Sequence, residues 1–121
     1  MKLIILDRDG VINQDRDDFV KSADEWIPIA GSMDAIAFLT EAGYTVAVAT
    51  NQSGIGRKYF TMQELTEMHN KMHRLAQQAG GVIDGIWFCP HTAADGCDCR
   101  KPAPGMVNDI LIRFNAEPAA T

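Results

Sequence analysis

Long hydrophobic runs are missing from this 121-residue chain, and so is any excess of positive charge. No apolar stretch approaches the roughly 20 residues of a bilayer-spanning helix, so no such span is expected. Met1-Lys2 leads straight into a short strand-like run rather than a signal peptide, and the expected location is cytoplasmic. Eleven Lys and Arg stand against sixteen Asp and Glu, a net charge of −5. That balance argues against nucleic-acid binding driven by phosphate neutralisation, although it leaves room for a local basic pocket holding a small anion. Cysteine is scarce too: three residues, all between positions 89 and 99. An odd, clustered count in a cytoplasmic chain points to metal ligation sooner than to a disulfide framework. Internal repeats, low-complexity segments and linkers are absent, so one small domain is expected over 1–121.

What is present is a soluble globular composition, 46% hydrophobic and 22% charged, with alternating strand and helix patterns. Leu3 to Leu6 is a continuous apolar run that stops at Asp7, as a strand buried on both faces does. Ser32 reads as the N-cap of a helix with Met33, Ile36, Ala37 and Leu39 facing inward, and Gly43 ends it. Tyr44 to Ala49 is a second strand. Thr61-x-x-Glu64 is a capping box, followed by Leu65, Met68, Met72, Leu75 and Ala79 at helical spacing. Val82 to Phe88 reads as a third strand and Met106 to Phe114 as a last helix. Strands separated by helices predict a doubly wound α/β fold with a mainly parallel, Rossmann-like sheet. In such sheets the ligand lies beyond the carboxyl ends of the strands.

All three strand ends carry chemistry. Asp7 and Asp9 leave one tight loop, a self-repelling pair that a hard cation such as Mg²⁺ relieves. Thr50 and Ser53 offer hydroxyls, while Asn51, Gln52, Ser53 and Gly54 offer backbone N–H groups to an anion. Arg100 and Lys101 add fixed positive charge suited to phosphate. Cys89-x-His91, then Cys97-x-Cys99, supplies three thiolates and an imidazole, a closed tetrahedral set expected to hold a structural Zn²⁺ within 89–104. Its role would be to fold a Gly- and Ala-containing loop and so place Arg100 and Lys101. A bridge between Cys97 and Cys99 is geometrically poor.

In these motifs the chain resembles the haloacid dehalogenase superfamily of phosphohydrolases: Asp7-x-Asp9-Gly10, Thr50-Asn51-Gln52-Ser53-Gly54 and Arg100-Lys101-Pro102, the first two each after a hydrophobic strand. Within it, the Cys and His spacing before Arg100-Lys101-Pro102 is similar to that of the bacterial heptose-bisphosphate 7-phosphatases, which supply ADP-heptose for lipopolysaccharide. The resemblance implies Asp7 as nucleophile, Asp9 as acid and base, and Thr50 and Lys101 as phosphoryl clamps. It implies substrate contacts from Asp15, Asn51, Gln52, Ser53 and Arg100. It also implies Mg²⁺ held by an Asp7 oxygen and the Asp9 backbone carbonyl. The expected partner is a small-molecule sugar phosphate, with neither nucleic acid nor membrane, and the protein is expected to be a monomer. Histidinol-phosphate phosphatase and a non-catalytic, zinc-stabilised phosphate-binding module are the alternative readings.

The superfamily's fourth signature is a further strand ending in Gly-Asp. It has no counterpart after Phe114, where 115–121 contains no Asp. The expectation is a fragment of a longer protein, with the C-terminal part of the sheet missing. Several other features are read as packing or solvation. His69 and His73 are taken as boundary or surface residues, Met62, Met68 and Met72 as core and edge, and Trp26 and Trp87 as packing residues. The charge run from Asp15 to Asp18 reads as a solvated loop, and Arg57 as a weak candidate for a second phosphate.

Overall fold

A computed structural model describes residues 2–116. Three strands form one parallel sheet in the order β1 (Lys2–Leu6), β2 (Tyr44–Asn51), β3 (Gly85–Cys89). Between them run α1 (Ser32–Glu41), a single turn α2 (Ser53–Gly56) and α3 (Met62–Gln78); α4 (Gly105–Arg113) follows β3 after a 3₁₀ turn at Ala93–Asp95. The register pairs Val48 with both Leu6 and Ile86, and Asn51 with Cys89, so the carboxyl ends of all three strands share one rim.

The central strand divides the core by its alternation. Val48 packs on one face with Ile36 of α1 and Leu65, Met68 and Met72 of α3. Ala47 and Ala49 point to the other, where Met106 and Ile110 of α4 cover them. Helices on both faces bear out the doubly wound α/β reading. The capping box starts α3 as expected: Glu64 N–H donates to Thr61 Oγ1 (3.1 Å) and Thr61 N–H to Glu64 Oε1 (2.9 Å), a device worth about 1 kcal/mol. No helix among the described residues is long and apolar enough to cross a membrane.

Several element bounds differ from the sequence expectation. Gly31, at φ +86°, occupies the N-cap of α1, and Ser32 is its first helical residue. The Ser32 hydroxyl instead donates to Ile12 O at 2.7 Å, tying the helix to the preceding loop. β3 begins at Gly85 rather than Val82, and α4 begins one residue earlier, at Gly105, and stops at Arg113. A Cβ at Gly105 would run into the Asp98 carbonyl, so this position joins α4 closely to the cysteine loop.

The 7–31 loop is long, yet it is tied down from beneath. Trp26 is fully buried, and the Lys71 ammonium of α3 donates to Ala23 O (2.7 Å) and Trp26 O (2.6 Å). A cation on α3 thus satisfies carbonyls that this irregular segment would otherwise leave unpaired.

Candidate active site

A cleft of about 290 Å³ opens at the shared rim. Asp7, Asp9, Thr50, Asn51, Gln52 and Lys101 line it, and the loop after β1 closes one side with Asp15, Arg16 and Phe19. Asp7 stands just past β1 with its side chain 47% exposed. Its Oδ1 accepts the Arg8 N–H at 2.7 Å and lies 2.9 Å from Lys101 Nζ. Its Oδ2 takes no hydrogen bond from the described residues.

Lys101 reaches this point because three contacts hold it. Its ammonium donates to Ala49 O (2.8 Å), its N–H to Asn51 Oδ1 (2.9 Å), and its carbonyl accepts Asn51 Nδ2 (3.2 Å). The amide of Asn51 is therefore engaged twice with the Lys101 backbone, 50 residues downstream. Gln52 is engaged as well: its Nε2 donates to Thr50 Oγ1 (2.9 Å) and to Asp9 Oδ2 (3.1 Å), joining the β2 and β1 loops. The sequence offered the Gln52 N–H to an anion, but in the fold it donates to Cys89 O at 2.8 Å, extending the β2–β3 pairing. Ser53 begins α2 and is buried outside the cleft lining. Arg100 turns toward the His91 carbonyl (3.4 Å) and lines a separate hollow of about 310 Å³ beside Lys101, with Thr92 and Cys97.

Arg8, between the two aspartates, has no exposed surface at all. A buried guanidinium needs a counter-charge and partners for its N–H groups. Asp9 Oδ1 supplies both, accepting Nε at 3.0 Å and Nη2 at 2.7 Å, and it also takes Asn13 Nδ2 at 3.0 Å. On the other side Nη1 lies 3.3 Å from His69 Nε2 and 4.0 Å from Met68 Sδ. His69 is thus buried, not the boundary or surface residue expected, because its ring fills the space between Arg8 and Phe88. His73 remains exposed.

Burial, then the nearby Arg8 and His73 charges, pushes His69 down from 6.5 to about 3. The sign follows: the unfolded histidine binds a proton below pH 6.5, while the folded one stays neutral until about pH 3. This residue therefore costs stability as pH falls through that window, on the order of a few kcal/mol by its lower end. Urea midpoints measured from pH 7 down to pH 4 are expected to fall less steeply in H69Q than in the parent. Parallel curves would contradict the assignment.

The charge run after Asp15 is only in part solvated. Arg16 lines the cleft, but its guanidinium is engaged by Asp18 at 3.0 Å. Hydrogen bonds from Arg16 and then Lys21 hold the Asp18 carboxyl below the usual carboxylate range. Arg57 sits 5.9 Å above the Phe19 ring at the edge of the cleft.

Behind Lys101, Cys89 Sγ, His91 Nδ1, Cys97 Sγ and Cys99 Sγ lie within 4.8 Å of one another. Cys89–Cys97 and Cys97–Cys99 are separated by 3.4 and 3.6 Å, and His91 stands 3.5 and 3.4 Å from Cys89 and Cys99. The edges of a tetrahedral site with Zn–S bonds of ~2.3 Å are about 3.5–3.8 Å long, so this donor set fits zinc. One pair departs from the three-thiolate expectation: Cys89 and Cys99 are joined as a disulfide, leaving Cys97 free. The fold brings their Cα atoms to 5.6 Å across a ten-residue separation, a spacing that serves either a bridge or a shared metal.

Residues 2–120 match a family model described as polynucleotide kinase 3 phosphatase. The chain belongs to this phosphatase family. It lies within the haloacid dehalogenase superfamily, as its motifs implied. It is 80% identical over its whole length to D-glycero-beta-D-manno-heptose-1,7-bisphosphate 7-phosphatase of Neisseria meningitidis, covering 65% of that protein. Against the same enzyme of Bordetella bronchiseptica the identity is 59% over 97% of the chain and 65% of the relative. A crystal structure of D,D-heptose 1,7-bisphosphate phosphatase from B. bronchiseptica, complexed with magnesium and phosphate, superposes with a TM-score of 0.94. That match has 59% identity and covers 96% of this chain and 65% of the other. The chain thus spans about 65% of the length of these curated relatives.

The sequence reading missed Arg8 and His69, which lie buried beneath the cleft, and Lys71, which ties down the loop after β1. The available signal for Arg8 was its place between two aspartates that leave a buried strand, where one side chain of the three must turn inward.

Proposed function

We propose that the protein carrying this chain is a Mg²⁺-dependent, cytoplasmic phosphomonoesterase. Its substrate is D-glycero-D-manno-heptose 1,7-bisphosphate, from which it removes the 7-phosphate on the route to ADP-heptose and lipopolysaccharide. The observation that carries the reading is the cleft itself, where Lys101 stands 2.9 Å from Asp7 and the Gln52 amide joins Thr50 to Asp9. Relatives at 80% and 59% identity bear this activity in their names. The family description speaks of polynucleotides, but a net charge of −5 disfavours a polyanion and favours a small phosphate ester.

Phosphoryl transfer needs alignment and charge neutralisation above all. Arg8 N–H and Lys101 fix Asp7 through Oδ1, leaving Oδ2 to attack phosphorus. A bond forms from Asp7 to phosphorus as the bond from phosphorus to the sugar oxygen breaks, and Asp9 gives its proton to the departing alkoxide. Asp9 then takes a proton from water, whose oxygen attacks the same phosphorus and releases phosphate with Asp7 restored. Asp9 Oδ1 already accepts three donors, so Oδ2 is the oxygen that handles the proton. The Lys101 ammonium and Thr50 hydroxyl balance charge on the moving phosphoryl group.

An Asp7 oxygen and the Asp9 backbone carbonyl would hold Mg²⁺. The half-exposed Asp7 carboxylate and the all-oxygen donors fit a hard cation that keeps several waters. When bound, the ion supplies further neutralisation of the phosphoryl oxygens. With the Cys89–Cys99 pair reduced to thiolates, Cys89, His91, Cys97 and Cys99 would hold a structural Zn²⁺ and so fix the loop leading into Lys101. Arg100 and Asp15 contact the rest of the substrate. Asn51 and Gln52, whose amides bond to protein groups, serve more by placing Lys101, Thr50 and Asp9 than by touching sugar.

The test is phosphate release by the full protein from heptose 1,7-bisphosphate, histidinol phosphate and a 3′-phosphorylated oligonucleotide, with Mg²⁺ or EDTA. The heptose ester is expected to lead in kcat/KM by at least about tenfold, with EDTA abolishing turnover. Preference for histidinol phosphate, or binding without turnover at saturating Mg²⁺, contradicts the proposal.

A further inference from the structure

Gln52 holds Asp9 Oδ2 from the cleft and Asn13 shares its Oδ1, but the two-point grip on this carboxylate comes from Arg8 beneath the cleft. Asp9 Oδ1 is bound by both Nε and Nη2 of Arg8, so the orientation of this carboxylate follows the plane of that guanidinium. Arg8 in turn rotates with whatever grips its far end. Nη1 meets His69 Nε2 at 3.3 Å, and the nearest other partner is the weak thioether acceptor of Met68 at 4.0 Å. An arginine has donors and no acceptor, so Nε2 must present its lone pair and the ring must be neutral with its proton on Nδ1. The low proton affinity of this buried ring agrees with that tautomer and charge. The ring is itself fixed, packed at a tilt 6.3 Å from Phe88 of β3 on a helix that carries Met68 and Met72 into the core.

We propose that His69 is a positioning residue of this centre: by accepting from Arg8 Nη1 it locks the guanidinium that holds Asp9 Oδ1, and so turns Asp9 Oδ2 toward the cleft. The inference rests on the phosphatase reading for its catalytic consequence, but its structural part stands apart from turnover. His69 hydrogen-bonds to neither Asp7 nor Asp9, and it positions Asp9 through Arg8. The sequence separation of 61 between Arg8 and His69 makes this a tertiary connection from α3 to the β1 loop.

Two side chains separate the acceptor from mere bulk. H69Q places an amide oxygen near the position of Nε2 and keeps the acceptor. H69L keeps comparable volume and removes it, and H69M serves the same purpose should H69L fail to fold. In ¹⁵N-resolved spectra of the full protein, the Arg8 Nε–H resonance is expected to exchange slowly with water in the parent and in H69Q. In H69L it is expected to exchange at least about tenfold faster, since the guanidinium has lost its acceptor at Nη1 and is freer to turn away from Asp9. Turnover should follow with a split: kcat about tenfold lower in H69L with KM little changed, and recovered in H69Q. A purely structural role would lower Tm in both variants without that split or that recovery. Equal Arg8 exchange in parent and H69L, or failure of H69Q to restore either readout, overturns the proposal. Should the parent show no turnover while the Arg8 signals behave as described, the positioning is upheld and the phosphatase reading is the part that fails.

Discussion

Asp7→Asn is expected to lower phosphate release by at least about 10³-fold, the scale of losing a covalent nucleophile, with little change in folding. An amide oxygen can still accept from the Arg8 N–H, and what is lost is a half-exposed pairing with Lys101, worth about 1 kcal/mol or less. Asp9→Asn should behave differently. It also removes turnover, but it leaves the charge of a fully buried Arg8 without its counter-ion, so unfolding midpoints drop as well. Comparing the two variants by phosphate release and urea denaturation separates an attacking group from one that also carries structure. Near-normal activity in D7N contradicts the nucleophile assignment.

The second large effect concerns the cysteine loop. Protein purified without chelator is expected to carry about one Zn²⁺ per chain, and Cys97→Ser to lose most of it. Apparent binding energies of structural zinc run to roughly 10 kcal/mol or more in peptides that fold around the metal, so Tm should fall markedly. Activity should fall further than Tm explains, by about 10²-fold at temperatures where the variant is still folded, because Lys101 lies two residues past Cys99. Elemental analysis with alkylation of thiols under denaturing conditions decides the matter. Fewer than one Zn per several chains, together with only one reactive thiol in three, would show the Cys89–Cys99 bridge in place of the metal.

The strands, the rim and the site loops were legible because they depend on local order: apolar runs that end abruptly in Asp7, Thr50 or Cys89, and helices marked by Thr61-Glu64 and Gly43. The bounds that moved are those where tertiary contact decides. Ser32 yields the cap to Gly31 because its hydroxyl finds Ile12 O, a partner 20 residues away. Arg8 and His69 could not be paired from sequence, since they stand 61 positions apart and only the fold brings α3 under the β1 loop. Asn51 and Gln52 were legible as site residues, yet not as amides engaged with Lys101, Thr50 and Asp9, because that depends on which loops the parallel register brings together.

Acid quenching of the full protein during turnover of heptose 1,7-bisphosphate, followed by peptide mass spectrometry, tests the central assignment most directly. One phosphoryl group on Asp7, absent from D7N, is the result expected. A phosphoryl group on any other residue, or none at all during rapid steady turnover, would contradict it.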